Sequence, residues 1–169
     1  MFHSIEPKQL DQNVFSLIGD KWMLITAGSD GACNTMTASW GGLGVLWYKD
    51  VATIYIRPQR YTKKFVDEQE YFTLTFFGDS YREELALCGS KSGRDMDKIK
   101  ACNFTVAEAA CGAPYFEQAR LVLVCRKLYE DTLKPELFLD KSCDTKCYPN
   151  RDHHTFYIAE VVEALERID

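Results

Sequence analysis

The segment Asn34–Trp47, NTMTASWGGLGVLW, combines strand-forming residues with three closely spaced glycines. Threonine, tryptophan, valine and leucine favour extended structure on a half-buried sheet. Glycines inside such a pattern indicate a bulge or the close approach of another group. We therefore expect an interrupted strand here, with Gly41, Gly42 and Gly44 as positions of close packing.

Further strand patterns lie on both sides of this segment. They cover residues 22–27, 51–56, 71–76, 121–125 with a continuation to 130, and 155–165. The nearly apolar run Val51–Ile56 predicts a strand buried on both faces. The run Tyr71–Phe76 alternates and predicts a half-buried strand. Glycines at both ends of residues 28–31 predict a turn.

The predicted helices are short. One covers residues 61–69, with the Thr62 hydroxyl as its cap. A capping box at Ser80–Glu83 opens another, which ends at Cys88 before Gly89. Residues 95–101 add a turn or two, and residues 103–117 are expected to be irregular. Strands dominate and do not alternate with long helices, which disfavours a doubly wound parallel sheet. The pattern predicts a mainly β fold, an antiparallel barrel with short helices inserted at its side.

Composition limits the function classes. The chain has 169 residues, with no repeat or linker, and is expected to form one domain over residues 1–169. Its net charge of -5 argues against a nucleic-acid role. It contains no apolar run of bilayer length, and its N-terminus lacks the order of a signal peptide. We therefore expect a cytoplasmic protein with neither nucleic-acid nor membrane partners.

The seven cysteines are an odd number, so they cannot all pair within one chain. Cys143 and Cys147 are close in sequence, and His153 and His154 follow them. This leaves a metal site or a facultative disulfide open as alternatives. The favoured interpretation is reduced thiols, several of them buried as small hydrophobic residues, with no metal bound.

Two segments are rich in cations and in groups that bind anions. Residues 57–64, RPQRYTKK, carry four cations and no acid. Residues 88–98, CGSKSGRDMDK, follow a predicted helix and offer serine hydroxyls, backbone amides near Gly93, Lys91 and Arg94. Such groups together favour a phosphate, although the spacing is not that of a Walker A loop. The alternative for each segment is a solvated polar turn.

Two further segments carry polar groups beside strands. Residues 34–40 place three hydroxyls and an aromatic at the start of a strand, where Thr35, Thr37 and Ser39 would share one face. The alternative is a polar edge strand with Trp40 in the core. In residues 152–161, a histidine precedes the last strand and could donate a hydrogen bond or carry a proton. The residue types alone do not distinguish His153 from His154.

Taken together, these segments resemble the flavin reductase-like family, in particular its flavoredoxin-type members. The matching pieces, in chain order, are residues 34–47, IRPQRYT (56–62), YFTLTFF (71–77), CGSKSGRDMDKIK (88–100), APYFEQARLVLVCRKLY (113–129) and HTFYIAEV (154–161). The resemblance implies a split β-barrel that binds flavin mononucleotide (FMN), usually as a homodimer with the flavin near the subunit interface.

The resemblance also implies site residues. The flavin-binding positions that it carries over are Asn34, Thr35, Met36, Thr37, Ser39, Trp40, Arg57, Arg60, Tyr61, Thr62, Ser90, Ser92, Arg94 and Lys98. His154 aligns with the family histidine before the last strand and is the expected catalytic residue. His153 stands where relatives carry an aspartate, which puts in doubt a nicotinamide contact through an acid there; Asp152 could substitute.

The function that this implies is an NAD(P)H-dependent flavin reductase, in which a nicotinamide passes a hydride to flavin N5. The protein would contribute binding, orientation and electrostatics, with His154 or Trp40 as a donor to the reduced flavin. The main alternative is an electron carrier that keeps its FMN and exchanges electrons with a partner protein. A flavin store or sensor and a metal-linked redox role of Cys143 and Cys147 are further alternatives.

Overall fold

The structure, a computed structural model, describes residues 1–29 and 31–168. The β-strands are β1 Phe2–Ile5, β2 Met23–Ser29, β3 Ala32–Ala38, β4 Gly41–Leu46, β5 Lys49–Ile56, β6 Tyr71–Phe76, β7 Val106–Glu108, β8 Pro114–Phe116, β9 Leu121–Thr132 and β10 Thr155–Arg167. The α-helices are α1 Val14–Gly19, α2 Thr62–Glu68, α3 Arg82–Ser90, α4 Lys98–Ala101 and α5 Lys141–Cys147.

One antiparallel sheet forms the body of the protein. Its strand order is β3-β2-β6-β9-β10-β5-β4, with β1 paired to β10 at the side. The two longest strands, β9 and β10, pair with register shifts at Ile158/Ala159 and Val161/Glu163. Such irregularities bend and twist a sheet, so one continuous sheet can curve around a core.

Two apolar clusters lie on opposite sides of this sheet. The larger cluster includes Met23, Ile25, Ile54, Leu74 and Tyr157 and fills the inside of the curved sheet. The smaller one packs α3 and the β7–β8 hairpin against the outer faces of β2, β6 and β9. Within the described ranges, no helix has the length and apolar character needed to cross a membrane.

Several predicted elements are confirmed with shifted bounds, while others are wrong. The strand predicted at 22–27 is β2, and the predictions at 121–130 and 155–165 correspond to β9 and β10. The segment 34–47 contains two strands, β3 and β4. The interval 103–117 holds the β7–β8 hairpin instead of being irregular. The turn predicted at 28–31 includes Asp30, which lies outside the described residues.

The burial predicted for two strands is wrong because α3 and the β7–β8 hairpin cover only part of the outer face of the sheet. Strand β6 is almost fully buried instead of half-buried, since the β7–β8 hairpin lies over its outer face: Thr73 donates to the Pro114 carbonyl. Strand β5 is buried on one face only. Thr53 and Tyr55 on its other face remain partly exposed.

Both predicted helix caps are wrong. Tyr61 precedes α2 without a side-chain cap, and the Thr62 hydroxyl instead accepts a hydrogen bond from the Asn34 side chain at 2.7 Å. A 3-10 turn at Asp79–Tyr81 replaces the predicted capping box, so α3 begins at Arg82. That helix also runs to Ser90, past the predicted stop.

The close packing predicted for the glycines of β4 holds at one of them. A Cβ on Gly41 would lie 2.9 Å from the Thr53 carbonyl oxygen, whereas a Cβ on Gly42 or Gly44 would meet no atom within 4 Å. Gly41 therefore allows β4 to approach the core closely, and the other two glycines face open space.

The sheet register brings distant segments to one edge of the molecule. Thr155 at the start of β10 lies opposite Ile56 at the end of β5, which places His154 and Arg57 side by side. The Thr37 hydroxyl of β3 donates to the Leu85 carbonyl of α3. This contact holds α3, and the loop after it, beside the same edge.

Candidate functional site

Two adjoining clefts lie at this edge. The first, which we call the aromatic cleft, has a volume of about 190 Å³ and is lined by Met36, Thr37, Ala38, Ser39, Trp40, Tyr55, Arg57, Arg60 and His154. The second, which we call the cationic cleft, has a volume of about 110 Å³ and is lined by Gln59, Arg60, Tyr61, Thr62, Ser90, Lys91, Ser92, Gly93 and Lys98. Arg60 lines both, so the two clefts adjoin at its side chain.

Two cations, one buried and one half-buried, meet at the C-terminal end of α3. Lys98 is only 3% exposed, and its Nζ donates to the Cys88 carbonyl at 3.1 Å. Arg60 donates to the Gly89 carbonyl at 2.7 Å and to the Cys88 carbonyl at 3.4 Å. Carbonyl dipoles are thus the partners of both charges, and neither cation has a carboxylate ion pair within the described ranges.

Burial disfavours the charged forms of these two side chains. It lowers the pKa of Lys98 from 10.5 to about 8, and it also lowers the pKa of Arg60. A buried cation without a counter-ion is costly. An anion bound in the cationic cleft would supply the missing charge, so this cleft is chemically suited to a phosphate group.

Asn34 of β3 contacts both α2 and the loop that follows α3. Its side chain is buried and donates to the Thr62 hydroxyl at 2.7 Å. On the other side, a Cβ on Gly93 would lie 2.0 Å from the Asn34 Oδ1 atom and 3.1 Å from the Tyr61 ring. Only glycine allows the loop to approach this closely, because any side chain would displace Asn34 or Tyr61.

Arg94 joins the loop after α3 to the turn after β5 and lines neither cleft. Its guanidinium lies 4.7 Å above the Tyr61 ring, and it donates to the Gln59 carbonyl at 3.1 Å. The loop after α3 and the turn after β5 are thereby held together, with the cationic cleft between them.

Aromatic rings line one wall of the aromatic cleft. The His154 ring lies 5.3 Å from the ring of Trp40 and 6.3 Å from that of Tyr55. Trp40 remains 47% exposed, so a flat apolar surface faces the opening. Such a wall suits a planar aromatic ligand.

His154 is a neutral imidazole at physiological pH. Burial, followed by the positive charge of Arg57, lowers its pKa from 6.5 to about 4; Asp152 opposes this shift and His153 adds to it. His154 can therefore donate or accept a hydrogen bond in the cleft at neutral pH without introducing a charge.

The segment between β9 and β10 folds against these residues. Arg57 donates to the Cys147 carbonyl at 2.9 Å and forms an ion pair with Asp152 at 2.8 Å. Tyr148 lies within hydrogen-bond distance of His154, at 2.7 Å. Helix α5, which sequence reasoning did not predict, thus anchors one side of the aromatic cleft.

A family model described as "Flavin reductase like domain" matches residues 15–169. The chain belongs to the flavin reductase-like family. A search of curated proteins found no match.

Solved structures of flavin reductase-like proteins share this fold. The FMN-binding domain of a flavin reductases-like enzyme from Shewanella baltica OS155 has a TM-score of 0.70 and 19% identity, covering 98% of this chain and 77% of that chain. Flavoredoxin from Methanosarcina acetivorans has a TM-score of 0.68 and 22% identity, covering 96% of this chain and 76% of that chain. An NADH:FAD oxidoreductase from Streptomyces globisporus C-1027 has a TM-score of 0.64 and 14% identity, covering 87% of this chain and 74% of that chain. The predicted mainly β, split-barrel fold is confirmed.

Most of the site residues predicted for this flavin reductase-like chain lie at the two clefts. Those in the aromatic cleft are Met36, Thr37, Ser39, Trp40, Arg57, Arg60 and His154. Those in the cationic cleft, besides Arg60, are Tyr61, Thr62, Ser90, Ser92 and Lys98.

Three predicted positions line neither cleft. Asn34 and Thr35 are buried; the Thr35 hydroxyl shares a hydrogen bond with Thr26 at 2.9 Å inside the protein. Arg94 stacks on Tyr61 outside the cationic cleft. Thr35 and Thr37 do share a face of β3 as predicted, but the Thr35 hydroxyl bonds to Thr26 on the adjacent strand β2 and the Thr37 hydroxyl donates to Leu85 of α3.

Sequence reasoning missed several residues at the clefts. Tyr55 was hidden within an apolar strand, although its alternation with Ile54 and Ile56 was a usable signal. Gln59 lies between two arginines and had no signal of its own. Tyr148 and Asp144 reach the two histidines only through the tertiary fold.

The cysteines do not form a metal site in the part of the chain that the structure describes. All seven thiols are free, and no three metal-ligating side chains cluster there. His153 bonds to Asp144 at 2.6 Å, while His154 faces Tyr148. The metal alternative for Cys143 and Cys147 thus has no ligand cluster among these residues.

Proposed function

We propose that this protein binds FMN across the two clefts, with the phosphate in the cationic cleft and the ring system in the aromatic cleft. The observation that carries the proposal is a pair of cations, buried Lys98 and half-buried Arg60, whose hydrogen-bond partners in the described part of the chain are carbonyl groups alone. Arg60 lies at the junction of the clefts, where it can contact a ligand that extends through both.

The remaining cleft residues fit this assignment. Thr62 and Ser92 offer hydroxyls to a phosphate or ribityl chain, and phosphate favours sites that combine cations with such donors. Trp40, Tyr55 and Met36 offer apolar surface to a flat ring. FMN, when bound, would supply the hydride- and electron-accepting chemistry.

We further propose that the protein is an NAD(P)H-dependent flavin reductase. Neutral His154 would donate a hydrogen bond to the flavin ring, where a donor stabilises the negative charge that develops on reduction. The exposed face of Trp40 leaves room beside this ring for a nicotinamide. The protein's contribution is to hold donor and acceptor in a productive geometry.

The first experiment is a visible absorption spectrum of the purified protein after FMN is added and free flavin removed, followed by anaerobic NADH or NADPH. A reductase gives a yellow protein that bleaches within a turnover time and reduces excess FMN catalytically. A protein that takes up no FMN at all contradicts the binding proposal. A yellow protein that stays oxidised contradicts the reductase while leaving the FMN site intact.

One observation favours an electron carrier as the second candidate. The acid nearest to the expected nicotinamide position, Asp152, already accepts from Arg57 at 2.8 Å and from Gln59 at 2.7 Å through the same oxygen. Its other oxygen, Oδ1, has no hydrogen-bond partner but is buried, so neither carboxylate oxygen is presented to a nicotinamide. A carrier would keep its FMN through gel filtration and accept electrons from a reduced partner protein faster than from NAD(P)H.

We also propose that the protein forms a homodimer through the surface around the β4–β5 hairpin. Large apolar side chains are exposed on this surface: Phe15, Val45, Trp47 and Tyr48. Patches of this kind mark interaction sites. Strand β4 is also at an edge of the sheet, where a second copy can cover unpaired backbone groups.

A further inference from the structure

The segment between β9 and β10 places one phenol against the cleft histidine. Tyr148 follows α5 and is only 7% exposed. The Tyr148 ring stacks on the His153 ring, with centroids 4.5 Å apart. The Arg57 guanidinium lies 5.0 Å from the centroid of the Tyr148 ring. These contacts fix the ring, so the position of its hydroxyl is set by packing.

The hydroxyl meets a specific nitrogen of His154. The distance from the Tyr148 oxygen to His154 Nδ1 is 2.7 Å, and the phenol has no other hydrogen-bond partner within the described ranges. Burial raises the pKa of Tyr148, so it remains a phenol with a proton to donate. If Nδ1 carried the imidazole proton, the phenol proton would have no acceptor. Donation from the phenol to an unprotonated Nδ1 satisfies both groups.

The other ring nitrogen of His154, Nε2, is the one left available to the aromatic cleft. A neutral imidazole carries one proton, which this arrangement assigns to Nε2. Nε2 has no hydrogen-bond partner in the described part of the chain and is not sealed from solvent, while the His154 side chain lines the aromatic cleft. A donor N–H is thus presented at the opening.

We propose that Tyr148 is a positioning residue that selects the Nε2–H tautomer of His154, so that this histidine donates a hydrogen bond to the flavin ring. The second half of this inference rests on the proposed FMN binding, whereas the first half concerns the protein alone. Tyr148 belongs to the segment with α5, so this segment sets the hydrogen-bonding character of the cleft.

The charged and titratable neighbours support a neutral, oriented imidazole. Arg57 faces His154 from the end of β5, and its charge is partly balanced by Asp152. His153 points away and bonds to Asp144 of α5 at 2.6 Å. Asp144 is thereby engaged with the neighbouring histidine, and Tyr148 is the direct partner of His154 Nδ1.

The tautomer can be measured without flavin or nicotinamide. Nitrogen-15 NMR of histidine-labelled protein distinguishes protonated from unprotonated ring nitrogens, and His154→Gln identifies the His154 signals among the three histidines. We expect Nε2 protonated and Nδ1 unprotonated in the native protein. We expect Tyr148→Phe, which keeps the ring, to shift the population toward the Nδ1–H form or a mixture.

An unchanged tautomer in Tyr148→Phe would overturn the proposal, as would an Nδ1–H form in the native protein. Tyr115→Phe is the matched control, because this partly buried tyrosine lies on β8, lines neither cleft and makes an edge-to-face ring contact with Phe2. It should leave the His154 signals unchanged. An unchanged melting temperature in both variants shows that the fold is intact.

A double-mutant cycle tests the link to the flavin. If Tyr148 acts through His154, Tyr148→Phe changes the reduction potential of bound FMN in the native background and has no further effect in His154→Gln. Equal effects in both backgrounds contradict the positioning role. A protein that fails to bind FMN contradicts only the proposed function, because the tautomer of His154 is measured by NMR without flavin.

Discussion

At the scale of single residues, Lys98 couples FMN binding to pH. Burial lowers its pKa to about 8 in the ligand-free protein, and a phosphate dianion would raise that pKa again. Binding above pH 8 therefore requires proton uptake, and affinity falls as the pH rises. Between pH 7 and pH 9 we expect about a tenfold loss of FMN affinity, measurable by fluorescence titration.

Two variants isolate this effect. Lys98→Arg keeps a positive charge throughout this range and should make FMN affinity independent of pH. Lys98→Met removes a charge-assisted hydrogen bond worth about 1.5–3 kcal/mol, which is about a 10–100-fold weaker affinity at pH 7. A native protein whose affinity is the same at both pH values would show that Lys98 does not contact the phosphate.

At the scale of elements, the loop after α3 depends on its glycine. A Cβ on Gly93 would lie 2.0 Å from Asn34 Oδ1, so Gly93→Ala must displace the loop or break the bond from Asn34 to Thr62. We expect an FMN affinity at least about tenfold weaker, or about 1.4 kcal/mol, with the sheet intact by circular dichroism.

The matched control for the loop is Gly19→Ala at the end of α1, because a Cβ there meets nothing within 4 Å. It should bind FMN like the native protein. If Gly93→Ala also binds normally, then the close approach to Asn34 does not shape the cationic cleft.

The elements also show how far the sequence could predict the fold and the site. The continuous apolar run of β9 and the segments of the cationic cleft were predictable, because burial and charge are visible in the local sequence. Helix α5, KSCDTKC, has no buried residue, so it lacks the apolar periodicity that predicts a helix. The choice of Lys98 instead of Arg94 as the buried cation depends on the tertiary fold, and both residues look alike in the loop sequence.

At the scale of the whole molecule, the β4–β5 hairpin displays two aromatic residues in a conformation that disfavours them. Trp47 and Tyr48 have φ values of 52° and 58°, and Tyr48 is fully exposed. Positive φ at both turn positions suits Asn-Gly, and a bulky residue there costs about 1–3 kcal/mol. Such strain together with exposure points to a partner-binding role.

We therefore expect the double substitution Trp47→Asn with Tyr48→Gly to convert the proposed dimer into a monomer, measured by light scattering, without loss of folding. Val106→Asn, which removes an exposed apolar side chain from β7, should leave the mass unchanged. If the native protein is a monomer at micromolar concentration, the dimer proposal is wrong.

The three tryptophans occupy three different settings, which gives the protein separate optical reporters. Trp40 lines the aromatic cleft, Trp47 is at the hairpin tip, and Trp22 lies 3.3 Å beneath the Arg82 guanidinium, away from both. Variants that retain a single tryptophan, with the others replaced by phenylalanine, should therefore respond to different events. Emission from Trp40 is quenched when a ligand enters, emission from Trp47 shifts to shorter wavelength when a second copy covers it, and Trp22 serves as the internal reference.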